Sequence, residues 1–399
     1  MRILMISPYI PWPLYGGASV RMFNIIKELS QRGHKIVLAA GKDINSNSSA
    51  DILNQLCEEV CLYELPKQGR LLSLARSIFS GKPYPALQFQ NKQLYETVSG
   101  LIKNDHFDLI WINFLFMADI LFKIPASNVP IILDQFEADE LVWKRYIKKG
   151  SLVQKIFSYL NLKKIQFLQK IIFKLIDALI CVSAEEANFM ESRMPIGNKV
   201  WVVPNGVDMG FFKANNIVKE KQVILMAGSM CINRNIDAAV WFAKDIFPKI
   251  KKIITDAEFW IVGYEPDKRV IALKSIPGVK VTGTVEEIKP YYEKAKVYVA
   301  PFRFGEGTRL KILEAMAMGV PIVSTEGGCQ GIGVVNGQHV LIADNEDDFS
   351  GKVIELLQNA QLSRAIADTG RAFVERGYNW KAIVGAIDVK LQHISRKKD

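Results

Sequence analysis

The feature that most constrains the fold is a repeated alternation of short apolar runs with longer segments of helical character. In the first half these runs are "RILMIS" at 2–7, "HKIVLAA" at 34–40, "FDLIWIN" at 107–113 and "PIILDQ" at 130–135. Short β-branched runs that alternate with helices are typical of βαβ units. Because such units cover both faces of their sheet, the pattern predicts a buried parallel sheet.

The alternation continues through 177–183 and 199–206, stops in the polar, irregular stretch 209–221, and then starts again. A chain of 399 residues is too long for one ordinary core. We therefore predict an α/β protein with two Rossmann-like, doubly wound domains that face each other across a cleft. Further predicted elements are strands at 223–229, 258–263, 279–283, 296–302, 319–325 and 339–344, a helix at 235–250, and a helical tail from about 348.

The predicted domain bounds follow from this restart. The first domain spans 1–208, the second spans 209–380, and the final helix at 381–399 is expected to pack back on the first domain. Ligands of such sheets bind at the carboxyl ends of the strands, so we expect two facing domains to bury a ligand between them.

Composition excludes several classes of protein. The longest nearly uninterrupted apolar run, 109–118, is far shorter than the roughly 20 residues of a membrane-spanning helix. The N-terminus lacks the long apolar region of a signal peptide, so we expect a cytoplasmic protein, soluble or peripheral to the membrane. The five cysteines and four histidines show no zinc-ligand spacing, so reduced thiols and no metal site are expected.

The net charge of +10 is concentrated in 144–178, which carries nine Lys or Arg residues against one acid, Asp177. Apolar residues alternate with the cations there. One reading is a basic amphipathic helix that lies on an anionic membrane surface. The alternative is an ordinary surface helix with solvated lysines. No nucleic-acid-binding fingerprint accompanies the charge, so no nucleic-acid partner is expected.

The stretch "PFRFGEGTRLKILEAMAMGVPIVST" at 301–325 combines a strand end, a glycine loop and a helix start. Gly305 and Gly307 allow close backbone approach, and a helix N-terminus with free amides can hold a phosphate. At 100° per residue, Lys311 and Glu314 lie on one side of this helix, and Glu314 can bind a vicinal diol such as a ribose. The alternative is a plain surface ion pair.

This stretch resembles the C-terminal signature of retaining glycosyltransferases of family 4 and their group 1 relatives, which have the GT-B fold. Two glutamates separated by seven residues in those enzymes match Glu306 and Glu314. The segments "PYIPWPLYGGASVRMFNIIKELSQRGHKIVLAA", "VVPNGVDMGFF" and "GSMCINRNIDAAVWF" are similar to other parts of the same enzymes, so the resemblance covers essentially the whole chain. The subgroup it suggests is the bacterial exopolysaccharide-type sugar transferases.

The resemblance implies a role for each matching residue. Glu314 would bind the donor ribose, Glu306 would contact the transferred sugar as a catalytic residue, and Lys311 with Arg234 would neutralise the diphosphate. Backbone near Val285 would meet the base. The full set of expected donor-binding residues is Gly16, Gly17, Arg234, Val285, Gly305, Gly307, Thr308, Lys311 and Glu314.

Many members of the family use a histidine after a middle strand of the first domain, and this chain has none there. Asp134 and then Glu137 are the candidates to activate the acceptor, unless they only cap a helix. Arg21 points either toward the cleft or toward solvent.

The implied reaction moves a sugar from a nucleoside-diphosphate sugar to a hydroxyl of a glycan or lipid-linked acceptor, with retention. No cofactor is implied, and the chain lacks a D-x-D pair, which agrees with independence of metal. The alternatives are a GT-B sugar-nucleotide epimerase and a binding protein without enzymatic activity. An NAD-dependent oxidoreductase is disfavoured because no G-x-G-x-x-G follows the first strand.

Overall fold

Two parallel β-sheets organise the chain in the computed structural model, each in its own compact unit. One unit comprises residues 1–204 together with the C-terminal residues from Val384 onward, and the other comprises residues 205–383. The residues that the structure describes are 1–14, 16–42, 51–65, 70–89, 92–124, 128–136, 139–149, 151–193, 200–213, 221–304 and 310–395.

Within the described ranges, the N-terminal unit has a seven-stranded parallel sheet. Its strands are β1 (Arg2–Ser7), β2 (Lys35–Lys42), β3 (Glu59–Glu64), β4 (Leu109–Asn113), β5 (Ile131–Gln135), β6 (Ala178–Cys181) and β7 (Val200–Val202), in the order β3-β2-β1-β4-β5-β6-β7. Its helices are α1 (Gly17–Gln31), α2 (Asp51–Leu56), α3 (Arg70–Phe79), α4 (Tyr84–Phe89), α5 (Lys92–Asn104), a 3₁₀ helix (Leu115–Phe122), α6 (Asp139–Lys149), α7 (Leu152–Leu175) and α8 (Ala184–Arg193).

The C-terminal unit repeats this plan with six parallel strands among its described residues. They are β8 (Val223–Ala227), β9 (Glu258–Val262), β10 (Val279–Gly283), β11 (Val297–Ala300), β12 (Ile322–Ser324) and β13 (Leu341–Ile342), in the order β10-β9-β8-β11-β12-β13. Its helices are α9 (Asn233–Trp241), α10 (Phe247–Ile253), α11 (Lys268–Ile271), α12 (Lys289–Lys294), α13 (Leu310–Ala317), α14 (Glu326–Cys329), α15 (Glu346–Gln358), α16 (Ala360–Gly377) and the start of α17 (Trp380–Ser395), which continues into the N-terminal unit.

The prediction of an α/β protein with two doubly wound parallel sheets is confirmed. The central strands are apolar without alternation because helices cover both faces. Every residue of β4 is buried, and β8 is buried in the same way. Two details differ from the predictions. The segment β3 had not been recognised as a strand, and a π-helical turn at Phe242–Ile246 joins α9 to α10 where one helix was expected.

Close backbone contact joins the carboxyl ends of β8 and β9. The Gly228 amide donates to the Val262 carbonyl at 3.0 Å. A Cβ at Gly263 would lie 1.6 Å from the Gly228 carbonyl oxygen and 2.7 Å from its carbon. Only glycine fits at 263 without moving the turn that leads into α9.

We expect Gly263→Ala to lower the free energy of unfolding by about 3 kcal/mol, because backbone atoms must separate to admit the methyl group. Gly351→Ala is the matched control. Gly351 lies inside α15 with open space around its Cβ position, so alanine should stabilise by about 0.5–1 kcal/mol. Thermal and urea unfolding of the two variants measures both effects. Equal unfolding midpoints would contradict the proposed contact.

Candidate active site

The strand order of the C-terminal sheet reverses between β8 and β11, which are hydrogen-bonded neighbours. From β8 the chain goes on to β9 on one side, and from β11 to β12 on the other. Because crossovers are right-handed, the two following helices lie on opposite faces of the sheet, and a crevice opens between the loops. The residues that start α9 and α13 therefore flank this crevice.

The β8 side of the crevice carries Arg234. It lies in the first turn of α9, is half-buried, and its side chain makes no hydrogen bond or ion pair with another described residue. The turn before it is held by the Met230 amide, which donates to the Tyr264 carbonyl at 2.8 Å. A fixed turn and a helix N-terminus beside a cation form an electropositive site.

The β11 side carries Lys311 and Glu314 on α13. The Lys311 ammonium lies 2.9 Å from Oε1 and 2.8 Å from Oε2 of Glu314. The Glu314 side chain is only 9% exposed, whereas that of Lys311 is 40% exposed. The two residues are therefore not a plain surface pair. The Glu314 carboxylate is buried, whereas the Lys311 ammonium that binds it remains accessible to water.

Tyr292, which the sequence analysis did not single out, completes this group. Its hydroxyl donates to Glu314 Oε2 at 3.0 Å, and its ring is fully buried. Burial first, and then the negative charge of Glu314, raise the pKa of Tyr292 well above its usual value, so the hydroxyl stays protonated and keeps donating. The signal in the sequence was an aromatic pair, "PYYEK", in the short helix α12 that precedes β11.

In the N-terminal unit, α1 follows β1 at the equivalent point of strand reversal. Gly16 is the N-cap of α1 and has extended backbone, with φ −143° and ψ 160°. A Cβ at Gly16 would meet no atom within 4 Å. Neither backbone conformation nor packing within the described residues therefore requires glycine there, and Gly17 opens the helix itself.

Arg21, one turn into α1, forms a fully buried ion pair with Asp134 at the end of β5. The guanidinium reaches the carboxylate at 3.0–3.2 Å through Nε and Nη2, and both side chains have 0% exposure. Nη1 also donates to the Val203 carbonyl at 2.9 Å. Desolvation raises the pKa of Asp134, while the guanidinium beside it acts in the opposite direction. The sequence analysis left Arg21 between cleft and solvent. The solvent alternative was wrong, because the Asp134 carboxylate draws the guanidinium into the interior.

Family models match most of the chain. A model described as "Glycosyltransferase Family 4" matches residues 15–211, and one described as "Glycosyl transferases group 1" matches residues 221–359. The chain is 22% identical to an uncharacterized 44.6 kDa protein in the cps region of Klebsiella pneumoniae, over 97% of this chain and 98% of that protein. It is 21% identical to an uncharacterized glycosyltransferase of Methanocaldococcus jannaschii, over 99% of both chains.

Solved structures share the fold. A sucrose-phosphate synthase from Thermosynechococcus elongatus aligns with a TM-score of 0.72 at 16% identity, covering 99% of each chain. HepE of Anabaena, in complex with UDP and glucose, aligns with a TM-score of 0.67 at 16% identity, covering 98% of this chain and 99% of that one.

The chain belongs to the GT-B glycosyltransferases. The predicted fold class and the predicted enzyme class are thereby confirmed.

The structure brings some of the predicted site residues of this glycosyltransferase together. Lys311 and Glu314 are in direct contact, and Arg234 begins the helix on the other side of the same crevice. Val285 follows β10 at the same edge of the sheet, half-buried against the core. Gly16 and Gly17 lie at the matching position of the other unit. Five of the predicted residues lie outside the described residues: Glu137, Gly305, Glu306, Gly307 and Thr308.

The catalytic role of Asp134 stays a prediction. Its geometry in the glycosyltransferase is that of a residue that positions Arg21, since the carboxylate is completely buried. Among the described residues, no group of three or more His, Cys, Asp or Glu side chains is arranged to hold a metal ion.

Removal of one partner of the buried pair tests its structural role. Arg21→Met should lower the free energy of unfolding by about 3–5 kcal/mol, because it leaves a buried carboxylate without its cation. The double variant Arg21→Met/Asp134→Leu should recover part of that loss, measured by chemical denaturation. Arg364→Met, in the exposed pair Arg364–Asp368 of α16, is the control and should leave the midpoint unchanged. If Arg21→Met unfolds like this control, the buried pair does not support the fold.

Proposed function

We propose that this enzyme transfers a sugar from a nucleoside-diphosphate sugar to an acceptor hydroxyl, with retention at the anomeric carbon. The observation that carries the proposal is the buried Glu314 carboxylate, held by Lys311 and Tyr292 beside the strand reversal. A buried, oriented carboxylate accepts two hydrogen bonds from a vicinal diol, which a ribose offers. HepE, which shares the fold, was solved with UDP and with UDP-glucose.

Charge on the departing diphosphate is balanced by two cations that the fold brings to the start of helices beside the crevice. Lys311 carries its ammonium at the start of α13, and Arg234 at the start of α9. The family resemblance adds the amides of Gly307 and Thr308. Groups held in advance at the developing charge stabilise the transition state without reorganisation. We therefore propose that no divalent metal is needed as cofactor.

The family resemblance supports a role for Glu306, and we propose that its carboxylate stabilises the positive character that develops on the transferred sugar. Attack on the same face as the departing diphosphate gives retention. In that mechanism an oxygen of the diphosphate takes the proton from the acceptor hydroxyl, the new glycosidic bond forms, and the bond to the diphosphate breaks. The relative from the cps region of Klebsiella pneumoniae supports a place in polysaccharide or glycolipid biosynthesis.

We expect Lys311→Ala and Glu314→Gln each to weaken binding of UDP by about 10- to 100-fold in isothermal titration, because each removes a charged hydrogen-bonding group. Lys274→Ala removes an exposed lysine elsewhere in the same unit and should bind like the unaltered enzyme. Thermal shifts with UDP, GDP and ADP then identify the base. Unchanged affinity in both site variants would refute the assignment. Conversion of the donor to a new sugar nucleotide without acceptor would favour the epimerase.

A second surface suggests where this enzyme works. No helix in the described part of the chain is long and apolar enough to cross a membrane. However, α7 contains five lysines and no acid, and one exposed line of side chains runs along it. We call this line the α7 stripe: Leu152, Ile156, Tyr159, Lys163, Phe167, Lys170 and Lys174.

The α7 stripe differs from the exposed face of an ordinary surface helix because it contains large apolar side chains as well as lysines. Leu152 is 75% exposed and Phe167 is 66% exposed. Phe79, at the end of α3, is also exposed, and α3 is bound to α7 through a hydrogen bond from Lys164 to the Ser77 carbonyl. Exposed rings between lysines suit the headgroup region of an anionic membrane. We propose that the enzyme binds an anionic membrane through the α7 stripe and takes a lipid-linked acceptor from that membrane.

We expect the enzyme to sediment with phosphatidylglycerol vesicles at low salt and to be released as salt rises, because the attraction is screened. Lys163→Glu/Lys170→Glu should lower the partition coefficient at least about tenfold. Lys103→Glu, on the exposed face of α5, is the control for a change of charge alone. Absence of sedimentation at low salt would reject the membrane proposal and leave the donor site untouched.

A further inference from the structure

The hydrogen bonds of the Glu314 carboxylate leave little capacity for a ligand. Oε2 accepts from the Tyr292 hydroxyl at 3.0 Å and from the Lys311 ammonium at 2.8 Å, and Oε1 accepts from the same ammonium at 2.9 Å. Each oxygen of a carboxylate has two lone pairs. Both lone pairs of Oε2 are therefore engaged, whereas contacts with the described residues leave one lone pair of Oε1 open.

A ribose diol competes with Lys311 for this carboxylate. Two adjacent hydroxyls donate to the two oxygens of a carboxylate, one to each, so Oε2 has to lose either Tyr292 or Lys311 first. Tyr292 is fully buried, and without Glu314 its hydroxyl would keep only the Lys311 carbonyl, 3.4 Å away. The Lys311 side chain is 40% exposed, and its ammonium stands on a flexible stem. Lys311 is therefore the partner that leaves.

Displacement leaves the Lys311 ammonium without its counter-ion at an unfavourable place. Lys311 lies in the first turn of α13, where the positive end of the helix dipole disfavours a cation. Among the described residues, Glu314 is its ion-pair partner. An anion that binds at the same helix start compensates both the lost pair and the dipole. The diphosphate of a nucleotide is such an anion, and it is attached to the ribose that displaced the ammonium.

We propose that Lys311, Glu314 and Tyr292 form a latch that selects ligands carrying both a ribose diol and a phosphate. The inference rests on the donor site proposed above. The diol replaces the ammonium on Glu314, and the phosphate replaces Glu314 as the partner of the ammonium, while Tyr292 holds the carboxylate throughout. A nucleoside alone or pyrophosphate alone has to break the ion pair without replacing both of its halves. The latch therefore makes recognition of the two parts of the donor mutually dependent.

The latch predicts that a variant loses affinity for the complete ligand and gains affinity for one part of it. Lys311→Met removes the ammonium but keeps apolar bulk, so Glu314 is open to a diol. Its Kd for a nucleoside should fall at least about threefold, because no ion pair has to be broken. Its Kd for the nucleoside diphosphate should rise about 10- to 100-fold, because a charged partner of the phosphate is lost.

The reciprocal variant is Glu314→Gln, which frees the ammonium of Lys311. Its Kd for inorganic pyrophosphate should fall at least about threefold, for the same reason, whereas its Kd for the nucleoside diphosphate should rise. A merely structural role of the pair predicts neither gain, because loss of structure weakens every ligand.

Three controls accompany these variants. Lys274→Met changes an exposed lysine elsewhere in the unit and should bind every ligand like the unaltered enzyme. Lys311→Arg keeps a cation that can pair with Glu314, so it should keep the weak binding of the nucleoside. The 2′-deoxynucleoside lacks the diol, so Lys311→Met should leave its Kd unchanged.

The experiment uses the full chain and the base of whichever of UDP, GDP and ADP binds the unaltered enzyme. Isothermal titration measures the nucleoside diphosphate, saturation-transfer NMR measures the nucleoside and its 2′-deoxy analogue, and phosphorus NMR measures pyrophosphate. Unfolding temperatures of the same samples show that each variant is folded. If Lys311→Met does not fold, the affinity of Glu314→Gln for pyrophosphate decides alone.

Both gains together support the latch. An unchanged or weaker nucleoside affinity in Lys311→Met overturns it, as does an equal gain for the 2′-deoxynucleoside or an unchanged pyrophosphate affinity in Glu314→Gln. If both variants lose the nucleoside diphosphate without these gains, the latch fails and the proposed donor site stands. If neither variant alters that binding, or if no nucleoside diphosphate binds the unaltered enzyme, the proposed donor site fails and the latch fails with it.

Discussion

Parallel hydrogen bonding between strands is the constraint on which the rest of this glycosyltransferase depends. A parallel pair brings both carboxyl ends to one edge and requires a crossover that covers the sheet. Each sheet therefore collects its loops at one edge, and the reversal of strand order separates two of them. Arg234 and Lys311 are distant in sequence, yet this topology alone places both beside one crevice. The same rule gathers Tyr9, Phe114 and Phe136 in the other unit, where they follow β1, β4 and β5.

The two buried carboxylates at these edges, Asp134 and Glu314, have different partners and, we infer, different roles. Asp134 is matched by Arg21, a cation that is as deeply buried and that also binds backbone carbonyls. Glu314 is matched by a lysine that is 40% exposed and by a neutral tyrosine. A guanidinium fork gives a rigid pair, whereas an ammonium on a flexible stem can change partners. We infer that the first pair holds the fold around α1 and that the second is built to exchange with a ligand.

The strands and their parallel arrangement could be predicted because apolar runs without alternation leave few other folds open. The strand β3, "EVCLYE", was missed because its apolar run is only four residues long between two glutamates, although Val and Tyr favour strands. Lys311 and Glu314 could be paired from helical spacing, but their unequal burial depends on Tyr292, which comes from a different helix. Arg21 could not be assigned because its partner lies far along the chain. Long-range pairs of this kind leave no local pattern to read.

At the carboxyl edge of the N-terminal sheet, the residues present make the local structure less stable than other residues would. Phe114 has φ +70°, which glycine would adopt without strain, and apolar residues at 113 and 135 would avoid two buried side-chain oxygens that have no partner among the described residues. The chain instead has phenylalanine and two amides at these positions, beside an ion pair that fixes Phe136 from behind. Strain and unsatisfied acceptors persist only where the surrounding structure enforces them. Here the Phe114 amide is held by the Asp134 carbonyl, and the Asp134 side chain is held by Arg21, so the pair that stabilises the fold also supports the strained turn.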